Sequence, residues 1–285
     1  MSVCYTPKRM NGRNFFVLLQ ARWARGTALC VGLDADYDKI PHHLKNGDVR
    51  ETITEFTKAI IDATAEYACA FKPQSAYYEA AGPDGITALI EIAAYSRERY
   101  PDIPLILDAK RADIGSTNAA YVEAAFELGG FDAITLHPYL GKEALLPFLD
   151  QKEKGCIVLC RTSNPGAGEF QDLVSDGDPL YIHVARRVAA EWNTNGNCAV
   201  VVGATYPDEL AKVRAIVGDM PILIPGIGAQ GGDCEKTVKA GKNSKGQGMI
   251  INSSRGIIFA SQGENFAQAA RAEAKKLRDA IQSYL

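Results

Sequence analysis

The segment Asp108-Ala109-Lys110-Arg111-Ala112-Asp113 sets two acids and a lysine at the end of an apolar run, Ile103 to Leu107, that reads as a buried strand. Side chains alternate along a strand, so Asp108 and Lys110 fall on one face. Asp113 follows in the loop toward a helix that begins near Thr117. Charges at a buried strand end are costly unless they are paired or hydrogen-bonded. The cluster is therefore either a structural ion pair at the mouth of a barrel or a reactive site. An ammonium fixed beside carboxylates suits one kind of chemistry in particular, the stabilisation of a developing negative charge and the delivery of a proton to it.

The same pattern recurs along the chain. Asp34 ends the run Cys30-Val31-Gly32-Leu33, and Lys72 ends Ala70-Phe71. Three successive strand ends thus carry charge, and in a closed barrel they converge on one cavity as an alternating array of acids and lysines. Two later loops are suited to an anion: Pro225-Gly226-Ile227-Gly228-Ala229-Gln230-Gly231-Gly232-Asp233 and Asn252-Ser253-Ser254-Arg255-Gly256. Gly226, Gly228 and Gly231 formally satisfy a dinucleotide fingerprint, but only about fifty residues follow, too few for the rest of such a domain. Loops after strands seven and eight of a barrel commonly hold phosphate through backbone N–H groups, and Arg255 adds a forked cation. No HExxH motif, paired histidine ligands or carboxylate cage is present. His137 ends the fourth strand, where a hydrogen-bonded structural role fits as well as a place in the cavity; His42 and His43 are assigned no role.

The elements that must position these groups alternate to the C-terminus. Strands are predicted over Ala28 to Leu33, Cys69 to Lys72, Ile103 to Asp108, Ala133 to His137, Cys156 to Arg161, Ala199 to Val202, Ile222 to Pro225 and Met249 to Asn252. Amphipathic helices fall between them, as in Ile53 to Tyr67, Ile86 to Tyr100 and Pro179 to Trp192. Repeated strand-helix alternation at this length predicts an α/β fold, a single (β/α)8 TIM barrel, in preference to a doubly wound sheet. No composition shift or linker divides residues 1–285, so one domain is expected, with residues 1–27 as an N-terminal helical extension. Phe15, Phe16, Leu18, Leu19 and Trp23 lie at roughly helical spacing and predict a helix packed on the first strand. Residues 163–179 carry two turn-rich clusters around Phe170 and Leu173 and read as an active-site lid loop rather than a helix. Gly241 to Gly248 reads as a mobile surface loop.

Composition narrows the partner. The 285 residues are 47% hydrophobic, enough for a substantial core, and a net charge of -3 leaves no basic footprint for nucleic acid or a membrane surface. The seven cysteines form no CxxC pair, and five lie in or beside predicted strands as small core residues, which fits a reducing cytoplasm. Lys8, Arg9, Arg13, Arg22 and Arg25 precede the first acid and superficially resemble a transit peptide, but the apolar run Phe15 to Leu19 among them is too short for a secretory core or a span.

Taken with Leu33-Asp34, Phe71-Lys72-Pro73-Gln74, Arg161-Thr162-Ser163-Asn164-Pro165-Gly166 and Ser254-Arg255-Gly256, the segment from Asp108 to Thr117 closely resembles the orotidine 5'-phosphate decarboxylase family, in its longer branch found in many bacteria. The resemblance implies decarboxylation of orotidine 5'-monophosphate (OMP) to UMP and CO2, the last step of de novo pyrimidine synthesis, without metal or organic cofactor. It implies that Asp108 sits near the departing carboxylate and that Lys110 protonates C6. Asp34 and Lys72 would hold the ribose hydroxyls, Ser163 the pyrimidine ring and Gln230 the base edge and phosphate. Arg255 would clamp the phosphate, and Pro225 and Ser254 would complete the substrate site. Asp113 and Thr117 would reach the neighbouring site of a homodimer. The nearest alternative is a sugar-phosphate lyase or decarboxylase that uses Mg2+ on the same barrel. Such a site needs more acids at the strand ends, and Lys72 stands where one would be expected. A Schiff-base aldolase is disfavoured because an acid beside Lys110 favours the charged amine. A non-catalytic nucleotide-binding barrel would have no reason to keep the acid-lysine array.

Overall fold

The computed structural model describes residues 12–227 and 232–285. Its strands are β1 (Leu29–Gly32), β2 (Ala68–Lys72), β3 (Ile106–Arg111), β4 (Ala133–Leu136), β5 (Gly155–Arg161), β6 (Cys198–Val202), β7 (Ile222–Pro225) and β8 (Met249–Ser253). β1 pairs in parallel with both β2 and β8, and the parallel ladder continues from β8 through β7, β6, β5 and β4 to β3. Parallel bridges from Phe71 to Leu105 and from Gln74 to Asp108 close the ring. The fold is the (β/α)8 barrel that the alternation predicts.

Helices cover the outside: α2 (Val49–Thr64), α3 (Gly82–Arg99), α4 (Gly115–Val122), α5 (Gly141–Leu149), α6 (Leu180–Arg187), α7 (Pro207–Val217), α8 (Cys234–Gly241) and α9 (Phe266–Gln282). With a helix outside and packed side chains inside, strand residues are buried on both faces, so the strands appear as continuous apolar runs. β2 and β6 are buried throughout. α2 illustrates how such a helix is specified. Asp48 caps it by accepting from the Glu51 backbone N–H at 2.9 Å, and Ile53, Phe56, Ile60 and Ile61 bury one face.

The N-terminal helix α1 (Phe15–Ala24) reaches the strands on both sides of β1 and is not confined to the first strand. It buries Phe15, Leu19 and Trp23, one face at four-residue spacing. A Cβ on Gly155, the first residue of β5, would meet the Phe15 ring at 2.5 Å. Trp23 Nε1 donates to the Met249 carbonyl at the start of β8 (2.7 Å), and Arg22 Nε to the Ala68 carbonyl at the start of β2 (2.9 Å). α1 therefore spans the N-terminal ends of the strands and seals the barrel floor. The basic residues around it hold the floor together. Arg13 makes a two-pronged pair with the fully buried Asp132 at 3.0 and 2.7 Å, and Arg22 and Arg25 share Asp102. Lys8 and Arg9 lie outside the described residues.

Two loops are more structured than their composition suggests. Within residues 163–179 the chain forms a helical turn at Pro165–Ala167, a short helix at Gly168–Gln171 and a two-rung hairpin pairing Val174–Ser175 with Asp178–Pro179. Asp176 and Gly177 turn the hairpin with φ of 51° and 84°, the left-handed pair that such tight turns require. The tract after α8 is densely hydrogen-bonded. Arg214 reaches the carbonyls of Gly241 and Gly248 at 2.7 Å each, and Asn243 accepts from Lys245 and Gln247. Cys30, Cys69, Cys156, Cys160 and Cys198 are buried and unpaired, as core thiols. Among the described residues, no helix is long and apolar enough to cross a membrane.

Candidate active site

Above the C-terminal ends of the strands opens a cavity of about 460 Å³, within the range of small-molecule sites. Asp34, Lys72, Asp108, Lys110, Ser163, Pro225, Ser254 and Arg255 all line it. Asp113 and Thr117 do not: Asp113 is half-buried in the loop after β3, where Ile114 N donates to its own carboxylate at 2.6 Å, and Thr117 is exposed on α4. His137 is not among the lining residues either. Gln230 lies outside the described residues.

At the centre, Asp108 takes an ammonium on each oxygen. Lys72 Nζ donates to Oδ2 at 2.8 Å and Lys110 Nζ to Oδ1 at 2.6 Å. Burial opposes charge on Asp108, but the fields of Lys72 and Lys110 outweigh it and hold the carboxyl well below the usual carboxylate range. Lys72, only 3% exposed, is also penalised by burial. Asp108 and Asp34 more than offset that penalty and hold its ammonium above the usual lysine range. Cys30 beneath them is inert, its thiol pushed up to about 12 by burial.

Regular alternation does not by itself put Asp108 and Lys110 together. Leu107 pairs with Ile134 and Arg111 with Leu136, so three residues of β3 oppose Thr135 alone. Such extra residues bulge a strand and re-aim its side chains. Lys110 adopts φ 47°, a left-handed conformation uncommon for a non-glycine residue and often found at functional sites. Because of the bulge, β3 runs on to Arg111 instead of ending at Asp108.

On the opposite wall, Ser254 Oγ donates to Asp34 Oδ2 at 2.6 Å, and a bare Gly32 permits this approach, since a Cβ there would lie 2.6 Å from that of Ser254. Asp34 lines the cavity, and its Oδ1 is buried without a partner among the described residues. Gly226, with φ 104°, turns the chain out of β7 at the cavity wall, where a side chain would be strained. Arg255 stands exposed at the rim, the placement an external anion needs.

Thr135, Gln171 and Asn252 also line the cavity, Gln171 and Asn252 within segments that the sequence marks and Thr135 with no such sign. Gln171, in the short helix of the 163–179 segment, is tied back to the end of β5. Its Oε1 accepts from Thr162 N at 2.8 Å and its Nε2 donates to Thr162 Oγ1 at 2.9 Å. Arg161 pairs with the neighbouring Asp172 at 3.1 Å. Among the described residues no three His, Cys, Asp or Glu side chains are grouped to hold a metal ion.

The fold and this cavity define a (β/α)8-barrel enzyme whose charged strand ends face a cavity rimmed by Arg255. The sequence model of the orotidine 5'-phosphate decarboxylase / HUMPS family matches residues 27–271. The orotidine 5'-phosphate decarboxylase of Janthinobacterium sp. (strain Marseille) is 56% identical over 272 residues, covering 95% of this chain and 99% of that one. Among solved structures, the OMP decarboxylase of Leishmania donovani superimposes with a TM-score of 0.79 at 39% identity, over 93% of this chain and 99% of that chain. The UMP synthase of the same organism gives 0.85 at 40% identity over 96% of this chain, which spans 56% of that longer protein. The chain belongs to the orotidine 5'-phosphate decarboxylase family, the carboxy-lyases of UMP biosynthesis, as its motifs imply.

Proposed function

We propose that the chain decarboxylates OMP to UMP with Lys110 as the reacting acid. The observation that carries this reading is the Lys72–Asp108–Lys110 arrangement inside a cavity rimmed by Arg255. Breaking the bond from C6 to the carboxylate leaves an electron pair on C6, with no adjacent carbonyl to accept it. A fixed cation must therefore stabilise that carbon. The Lys110 ammonium supplies the charge and then its proton, forming the C6–H bond of UMP as CO2 departs, and the neutral amine regains a proton from water. Asp108 sits beside the departing carboxylate and holds both lysines in place.

The rest of the cavity fits the rest of the nucleotide. The unpartnered Asp34 oxygen suits a ribose hydroxyl, assisted by Lys72. Ser163 faces the pyrimidine, Arg255 and the backbone beyond Gly226 take the phosphate, and Gln230 bridges phosphate and base. Pro225 and Ser254 complete the walls. The segment 163–179, held through Gln171, closes over bound nucleotide, so that phosphate and base contacts are used to assemble the site. Asp113 and Thr117, which do not line this cavity, act in the site of a second copy in a homodimer.

The decisive measurement is the ultraviolet absorbance of OMP incubated with purified protein in EDTA. Conversion to UMP is expected, and Lys110→Ala should lower kcat by about 10⁴-fold or more while UMP affinity stays within about tenfold. Unaltered absorbance with the parent protein overturns the substrate, dependence on added Mg2+ favours the enediolate chemistry, and near-normal turnover by Lys110→Ala overturns the role of that lysine.

A further inference from the structure

We infer that Thr135 is a positioning residue for decarboxylation, its hydroxyl being the strut that fixes Lys110 against Asp108. Thr135 lies in the middle of β4 and is 1% exposed, yet it reaches the cavity wall. Its Oγ1 accepts from Ala109 N at 3.0 Å and from Lys110 N at 2.9 Å, and donates to Asp108 Oδ1 at 2.9 Å. A hydroxyl has one proton to donate and two lone pairs, and here all three are engaged. The rotor therefore has one orientation.

The need for such a group follows from the bulge. Leu107 and Arg111 keep their ladder partners on β4, and Asp108 N finds the Pro73 carbonyl on the other side. Ala109 and Lys110 are left with backbone N–H groups where the strands no longer match, and buried N–H groups require partners. Oγ1 of Thr135 replaces the missing carbonyl for both. It thereby holds Lys110 in its left-handed conformation and, through the third bond, fixes the carboxylate to which Lys110 Nζ is paired. Backbone of the acid-donating lysine and side chain of its partner are referenced to one atom. Valine has the same shape but would leave both N–H groups without this acceptor and Asp108 Oδ1 with Lys110 Nζ as its one remaining partner; serine would retain all three bonds.

This inference rests on the proposed role of Lys110, and the test separates the two. Thr135→Val and Thr135→Ser are compared with the parent for kcat on OMP, for UMP dissociation constant and for thermal melting. Thr135→Val is expected to lower kcat about 10- to 100-fold, the effect of a reacting group misplaced by a fraction of an ångström, with UMP affinity within about threefold. Thr135→Ser should keep kcat within about threefold of the parent. If Thr135→Val does not fold, Thr135→Ala removes the same hydroxyl and is judged by the same criterion against Thr135→Ser. Parental kcat in the hydroxyl-free variant overturns the inference, as does an equal fall in kcat and UMP affinity, or equal losses with and without the hydroxyl. Failure of the parent itself to decarboxylate OMP would instead strike the underlying reading of the site.

Discussion

Two ammonium groups and one carboxylate meet at Asp108, so this trio already carries net positive charge before any substrate enters. A bare carboxylate forced to about 4 Å from that of the substrate would repel it by roughly 4 kcal/mol at an effective dielectric near 20. That is about three powers of ten in rate, against the roughly 8 to 23 kcal/mol that enzymes commonly supply. With Asp108 neutralised by lysines at 2.8 and 2.6 Å, the repulsion falls below even that ceiling. In the proposed mechanism, stabilisation of the developing carbanion by Lys110 therefore has to provide more of the acceleration than crowding by Asp108. Asp108 has a second task, keeping the buried Lys72 charged, and Asp108→Asn should destabilise the fold by about 3 kcal/mol. The carboxyl is held below its unfolded value, so its contribution is complete above about pH 4 and is lost as the pH falls toward the folded value. Lys72, held above its unfolded value, contributes fully until the pH exceeds about 10. Melting temperatures of parent and variant should differ near pH 5 and draw together as the pH falls below about 4. A gap unchanged at about pH 3 would contradict this account.

At the scale of elements, the barrel divides its labour between two ends. α1, Arg13 and Asp132 build an apolar, ion-paired floor, while the bulged end of β3, Pro225 with Gly226, and Ser254 with Arg255 build the charged cavity at the other end. Leu19 is fully buried in the floor, far from the charged rim. Leu19→Ala should cost about 2 to 5 kcal/mol in denaturant unfolding while kcat at low temperature stays unchanged. A parallel fall in kcat would mean that floor and rim are coupled. The strands were legible because helices on one side and packed side chains on the other make them short apolar runs, and charges ending three such runs marked the rim. The floor was not, because helical spacing gives a buried face without saying against what it packs; only Trp23, Arg22 and Phe15 together show that α1 crosses several strands. Nor could periodicity reveal the bulge, which depends on the β4 partner. Thr135 escaped notice for the same reason, since within Ala133-Ile134-Thr135-Leu136 it reads as one more β-branched strand residue.

The whole molecule leaves part of its most charged motif without a job inside its own cavity. Asp113 and Thr117 are not among its lining residues and flank Ile114 at 61% exposure, and the loop after the adjoining β4 exposes Tyr139 at 88% and Leu140. Apolar side chains grouped around polar ones at a rim suit a surface that a second copy covers. In the proposed homodimer two-fold symmetry would make the contact reciprocal, each copy lending Asp113 to its partner's site and borrowing one in return. The consequence can be tested with two chains that are each inactive alone. In Lys110→Ala the site lacks its acid but Asp113 remains to be lent; in Asp113→Ala the acid remains but nothing useful is lent. A mixed dimer joins both defects in one site and leaves the other intact. Unfolding and refolding an equimolar mixture should therefore restore about one quarter of parental activity, half the dimers being mixed and half of their sites sound. Activity no higher than that of the separate variants would confine Asp113 to its own subunit. Sedimentation velocity on the same samples distinguishes that outcome from a failure to form dimers, because a monomer would remove the basis for sharing altogether.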